Sequence, residues 1–143
     1  TGPIAIESRF CAIEVHPENR LSLPNGLLGF AEFREFGLVP LPGDKHPQFQ
    51  VLQCLSQADL SFLVAPLNMD SGAIEASDLD DTCATLDIPR EDMAVLLIVT
   101  VRRDEDGAHV SVNMRAPLFV DMRRRTGRQY VLPNNKYSIR HAL

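Results

Sequence analysis

The sequence predicts a mainly β protein, a small antiparallel β-barrel or barrel-like sandwich with one short helix and one helical turn. Three observations carry this reading. Short apolar runs rich in β-branched residues recur at intervals of roughly ten residues, punctuated by Pro, Gly, Asn and Asp. The longest of them, MAVLLIVTV from Met93 to Val101, is apolar on both strand faces and is expected to be buried on both. Only Ser77 to Leu86 carries a helical period.

The totals bound the rest. At 143 residues and 15.9 kDa, the chain is most simply one domain spanning residues 1–143. A chain of this size buries about two thirds of its unfolded surface. An apolar share of 45% with 23% charged residues is ordinary globular composition. A net charge of −5 argues against a protein whose main task is holding phosphates, and leaves room for a basic partner. No apolar run approaches the roughly 20 residues a membrane helix needs, and no charged-then-apolar leader opens the sequence. Cys11, Cys54 and Cys83 are odd in number and far apart, which fits a reduced, cytoplasmic protein rather than a disulfide framework.

Taken in order, Ile4–Ser8 and Phe10–Val15 alternate apolar and polar residues, as two successive strands or one strand bent near Arg9. Leu21–Leu23 alternates too, and Pro24-Asn25-Gly26 ends it, because proline cannot extend a ladder and Asn-Gly favours positive φ. Gly26-Leu27-Leu28-Gly29-Phe30 reads as a loop plugging one end of the barrel. Ala31–Phe36 reads as a helical turn, with Phe33 and Phe36 on one face. Gly37–Leu41 and Phe49–Leu55 read as strands around the loop Pro42–Pro47, and Leu60–Ala65 as a further strand. Ser77, three residues before Asp80, forms a loose capping box for the helix, and Pro89 forbids its continuation. From Met93 to Leu132 the pattern is an antiparallel meander, with Arg123–Arg128 at a hairpin tip and a break at Pro117.

Residues that could do chemistry are scattered. His16, His46, His109 and His141 show no metal-binding spacing, and each reads as a solvated histidine. No cysteine sits at a helix start or beside a base that would activate it. There is no nucleophile elbow, phosphate loop or dinucleotide fingerprint. No catalytic residue, cofactor or metal is therefore expected, and the output is expected to be binding. Between Asp70 and Asp92 eight acids face one base, Arg90. Asp78, Asp80 and Asp81 in that stretch are the candidate residues for docking a basic protein. The alternative is a small nucleic-acid- or nucleotide-binding barrel that grips phosphates with Arg123, Arg124, Arg125 and Arg128. The bland counterpart of that cluster is a solubilising turn that blunts strand edges.

Four segments in order, LSLPNGLLGFAEFREFGLVPL, FQVLQCLSQADLSFLVAP, the VNMRAPLFVD run and KYSIRHAL, resemble the flagellar assembly factor FliW family. The resemblance runs from about Ile4 to Leu143. Its most specific pieces are Gly26–Phe30, the Leu52–Phe62 run, Asn113 with Ala116-Pro117, and Tyr137–His141. Departures are Leu23 for a usual phenylalanine, Val51 for a usual aromatic, Cys11 for a usual glycine and Ala142 for a usual proline. Read as a surface position, Val51 lacks an anchor and puts partner specificity in question. The resemblance implies a non-catalytic cytoplasmic protein, monomeric when free. It implies binding to flagellin before export and to the translational regulator CsrA, with no direct nucleic-acid or membrane contact. Leu27 and Phe30, with Arg140 and His141 near the C-terminus, are the candidate surface for flagellin's amphipathic helix. Gly26, Gly29, Asn113 and Pro117 are expected to specify the fold itself.

Overall fold

The structure, a computed structural model, describes residues 2–8, 10–43 and 46–143. The strands are β1 (Ile4–Glu7), β2 (Ala12–Val15), β3 (Arg20–Ser22), β4 (Glu35–Pro40), β5 (Gln50–Cys54) and β6 (Ser61–Pro66). After the helix α1 (Ala76–Leu86) come β7 (Met93–Asp104), β8 (Gly107–Val112), β9 (Leu118–Asp121), β10 (Thr126–Gln129) and β11 (His141–Ala142). Pairing runs β7-β6-β5-β4-β3-β10-β9 and then returns to β7, so the sheet closes into a ring-like whole. Every pairing is antiparallel except one parallel contact between Thr126 and Ser22, which joins β10 to β3.

Closure depends on the length of β7. One edge pairs with β6 through Leu96–Ile98. The other edge serves two strands in succession. Met93–Leu96 faces β9 and Val99–Asp104 faces β8. Met93–Leu132 is thus more than a simple meander, because β8 hands the same edge of β7 to β9. Asn113 makes the handover. Its N–H donates to the Ile98 carbonyl at 3.0 Å, continuing the ladder, while its Oδ1 accepts from the N–H groups of Arg115 and Ala116, both at 3.0 Å. This is an Asx turn, which gives the backbone a local partner in place of the ladder. Pro117, lacking an N–H, ends the turn and β9 begins at the next residue.

The central strands are covered on both sides, but the end of β7 from Thr100 to Asp104 and the first half of β8 are exposed, so the burial expected for Met93–Val101 stops at Val99. Leu96, Leu118, Val120, Leu52, Val64, Phe36 and Leu21 form one cluster of buried residues, the ring core. Their odd-numbered neighbours on β7 and β9 (Met93, Val95, Leu97, Phe119) join a second cluster with Ile74, Leu79, Ile88, Leu132 and Tyr137. There α1 and the C-terminal segment form a cover. Over β4, β5 and β6 the hairpin β1–β2 supplies a third layer, with Ile13 and Val15 against Val39 and Val51. Period-two alternation therefore separates two apolar environments rather than core from solvent, which is why these strands read as continuous apolar runs. Gly37 lets the hairpin approach: a Cβ there would lie 2.5 Å from a methyl of Val15.

Several expectations change. Residues 4–15 make a hairpin of two strands; the bend at Arg9 lies outside the described residues, as do Asp44 and Lys45 of the Pro42–Pro47 loop. Ala31–Phe36 is not a helical turn. The Leu23 N–H bonds the Arg34 carbonyl and Ser22 pairs with Glu35, so β3 draws this segment into the sheet. Ser77 caps nothing, because the helix already starts at Ala76 and its N-cap Glu75 makes no side-chain cap. Val51 is fully buried beneath the hairpin, not a surface anchor. The break at Pro117 stands where the sequence put it, but the arginine turn is shorter than Arg123–Arg128, because Thr126–Gln129 is β10 and Arg128 pairs with Phe119.

The Gly37–Val15 approach is open to a mutant cycle. Gly37→Ala should cost about 1–3 kcal/mol by overpacking. Because Val15→Ala removes the obstructing methyls, the double variant should lose clearly less than the sum of the two singles in urea unfolding. Strict additivity would mean that the hairpin does not rest on β4 in this way.

Candidate protein-docking site

Two loops meet at one end of the ring. In the first, Gly26 takes φ +62° after Pro24-Asn25, and a Cβ there would strike the Phe30 carbonyl oxygen at 2.5 Å. Only glycine fits this return, which lets Leu27 and Phe30 bridge across the turn. Leu27 points into the ring core at 3% exposure, so it is not the surface residue the sequence suggested; its neighbour Leu28 is, at 61%. The Leu28 N–H donates to Gln129 Oε1 at 2.8 Å, and Gln129 Nε2 donates to the Ala116 carbonyl at 3.1 Å. One side chain thereby ties this loop to the Asn113–Pro117 turn. Phe30 is half-buried, its ring edge-on to Phe62 with centroids 5.6 Å apart.

The second loop, residues 55–60, is organised by Gln53, whose side chain is wholly buried on β5. Its Nε2 lies 2.9–3.4 Å from the carbonyls of Cys54, Gln57, Ala58 and Leu60, and its Oε1 accepts from the Ser61 hydroxyl. The Leu60 and Gln57 carbonyls also accept backbone N–H groups, from Cys54 at 2.9 Å and Leu60 at 3.0 Å, so the amide adds a second tie from inside the turn. Between the loops lies an open cleft of about 320 Å3 lined by Phe30, Phe33, Gln57, Asp59 and Leu60. Its walls are set by backbone bonds and buried amides. Asp59 is exposed and makes no hydrogen bond or ion pair among the described residues.

The acidic helix is more occupied than its composition suggests. Asp78 accepts from the Tyr137 hydroxyl at 2.5 Å, and that hydroxyl accepts the Glu75 N–H at 2.9 Å, closing the start of α1. Asp80 pairs with Arg90 at 2.7 Å, and Glu75 pairs with Lys136. Of the three candidate aspartates, Asp81 alone is exposed without a partner among the described residues. Arg140 and His141 are both exposed, on the far side of Tyr137 from the helix in sequence; His141 pairs with Val112 through its backbone in β11. The structure thus groups Phe30 with neither the aspartates nor the C-terminal pair. Phe33, Asp59 and Gln129 were missed. The one signal for Asp59 was its place inside the Leu52–Phe62 run.

The arginine turn is partly self-satisfied. Asp121, buried, accepts the N–H groups of Arg123 and Arg124 at 3.1 and 3.0 Å, and Arg125 reaches the Arg20 carbonyl at 3.2 Å. Burial pushes the Cys11 and Cys83 thiols up, away from the reactive thiolate form. Among the described residues no group of His, Cys, Asp and Glu is arranged to hold a metal ion, and no helix is long and apolar enough to cross a membrane.

The fold defines a mainly β protein whose single sheet closes into a ring, with loop surfaces at one end that are partly apolar. The sequence model described as FliW protein matches residues 5–143, and the chain belongs to this family. The flagellar assembly factor FliW of Desulfitobacterium hafniense strain Y51 is 37% identical over 140 residues, covering 96% of this chain and 90% of that protein. That of Oceanobacillus iheyensis is 34% identical, covering 93% and 89%. A crystal structure of the flagellar assembly factor FliW superposes with a TM-score of 0.75 at 28% identity, covering 99% of this chain and 96% of that one.

Gln53→Leu should lower stability by about 1–3 kcal/mol, because it takes the amide donor from the Cys54 and Ala58 carbonyls and leaves the Ser61 hydroxyl only Ser8 to bond; urea unfolding measures this. Tyr137→Phe should cost about 1–2 kcal/mol at neutral pH. Burial and the Asp78 bond raise the Tyr137 pKa. Its contribution is therefore complete below the ordinary phenol value of about 10 and is lost as pH rises through the folded-state value. The stability gap between wild type and Tyr137→Phe should be flat from neutral pH to about pH 10 and shrink above it. A gap that stays unchanged well above about pH 10 would contradict the hydroxyl's role as donor.

Proposed function

We propose that the protein is a flagellar assembly factor that works by binding and not by catalysis. It holds flagellin in the cytoplasm before export, and it binds the translational regulator CsrA, relieving the block on flagellin synthesis. Flagellin and CsrA draw on the same pool of the factor, so synthesis follows secretion. The protein acts as a single-domain monomer when free. Support comes from the family and from relatives named flagellar assembly factors. The observation that carries the docking reading is the preformed cleft between the Gly26–Phe33 loop and the Gln53-braced loop, lined by Phe30, Phe33 and Leu60. Such a surface offers apolar area at little ordering cost on binding. A net charge of −5 favours fast, salt-sensitive association with a basic partner.

Co-purification of the tagged protein with flagellin and with CsrA, across a salt titration, tests the reading. Complexes with both are expected, the CsrA complex weakening as salt rises. No complex with either at low salt would overturn it.

A further inference from the structure

The acids of α1 were the sequence's candidates for a basic partner, and two of the three are spent inside the molecule, on Tyr137 and Arg90. The unspent carboxylate that stands beside apolar surface is Asp59. It shares its cleft with the rings of Phe30 and Phe33 and the side chain of Leu60. The Phe30 ring is held by Phe62, and the backbone under Asp59 is held by Gln53, which bonds the carbonyls of residues on both sides of it. The cleft is therefore a fixed feature, not one that must form on contact.

Its mixed lining selects its occupant. A purely apolar side chain would bury the rim of Asp59 without compensation. An acidic one would meet like charge. A long basic side chain satisfies every wall at once. Its methylene stem lies along Leu60 and the aromatic rings, and its cationic head reaches the Asp59 carboxylate. Glu32 and Glu35, exposed on the same loop and the strand it enters, add negative charge, opposed by Arg34 alone within that segment. The fit extends outward, since Leu28 on the adjoining turn offers apolar surface to whatever flanks the basic residue.

We propose that this cleft is the anchor site for an arginine or lysine of a protein partner, presented on an amphipathic segment whose neighbouring side chains are apolar. The proposal rests on the docking reading above and assigns the basic partner to the loop end of the ring, away from the acids of α1.

Calorimetric titration tests it with two probes, CsrA and a short amphipathic helical peptide built only of leucine and lysine. The proteins compared are wild type, Asp59→Lys, Phe33→Ser and Asp81→Lys, each checked by melting temperature. Asp59→Lys should weaken both probes about tenfold or more with its melting temperature unchanged, and Phe33→Ser should weaken them at every salt concentration. Asp81→Lys should change affinity by less than about twofold. Equal losses in Asp59→Lys and Asp81→Lys would mean diffuse charge attraction and overturn the site. Wild-type binding of CsrA that Asp59→Lys leaves intact would overturn the site while leaving the docking reading standing. Failure of wild type to bind CsrA, with the peptide still lost on Asp59→Lys, would overturn the CsrA part of that reading and keep the site. Failure to bind the peptide would overturn the site.

Discussion

The structure depends on one edge of one strand being shared. β7 has a single free edge after β6 takes the other, and β8 and β9 occupy it one after the other. If β8 continued past Val112 along β7, β9 would have nowhere to pair, and the ring would open between β9 and β7. The Asn113 side chain prevents this by giving Arg115 and Ala116 an acceptor off the ladder. Few contacts as local as this one decide so much. A backbone that leaves a sheet must find other partners for its polar groups, and a single amide oxygen provides two of them.

The same device recurs. Gln53 gathers the carbonyls of a loop, Gln129 joins two turns, and the Tyr137 hydroxyl closes the start of α1. Among the described residues no buried side-chain nitrogen or oxygen is left without a partner. A polar group in a low-dielectric interior is costly when unpaired and directional when paired. These side chains therefore fix where the irregular segments lie, while the apolar clusters supply the bulk of the burial. The rigidity of the docking cleft follows from this arrangement.

Electrostatics show the same contrast between inventory and placement. Eight acids against one base between Asp70 and Asp92 suggest a uniformly negative face. In the fold Tyr137 and Lys136, far along the chain, come back to that helix, and Arg90 turns onto Asp80. An exposed pair of this kind adds little stability, yet it removes a charge from what a partner would meet. Asp59, one acid in a polar loop, keeps its charge available because among the described residues no ion pair or hydrogen bond engages its carboxylate.

The sequence by itself determined the β class, the position of α1, a turn opening at Arg123 and the break at Pro117. These are set by period, by β-branching and by proline and glycine, all local properties. The repeated match to a family pattern was also legible, since it needs only order and spacing. What the tertiary structure alone decided was which face each apolar residue served. Alternation on β7 divides two buried layers, and a strand buried on both sides carries no mark of its inside. That is why Val51 could pass for a surface position and Leu27 for a docking residue. Tertiary pairing also turned Phe36 from a helical position into a strand, because the edge of β3 needed a partner. Asp59 entered the candidate site for the same reason: its neighbours Phe30 and Phe33 lie far back in the chain, and only the fold brings them together.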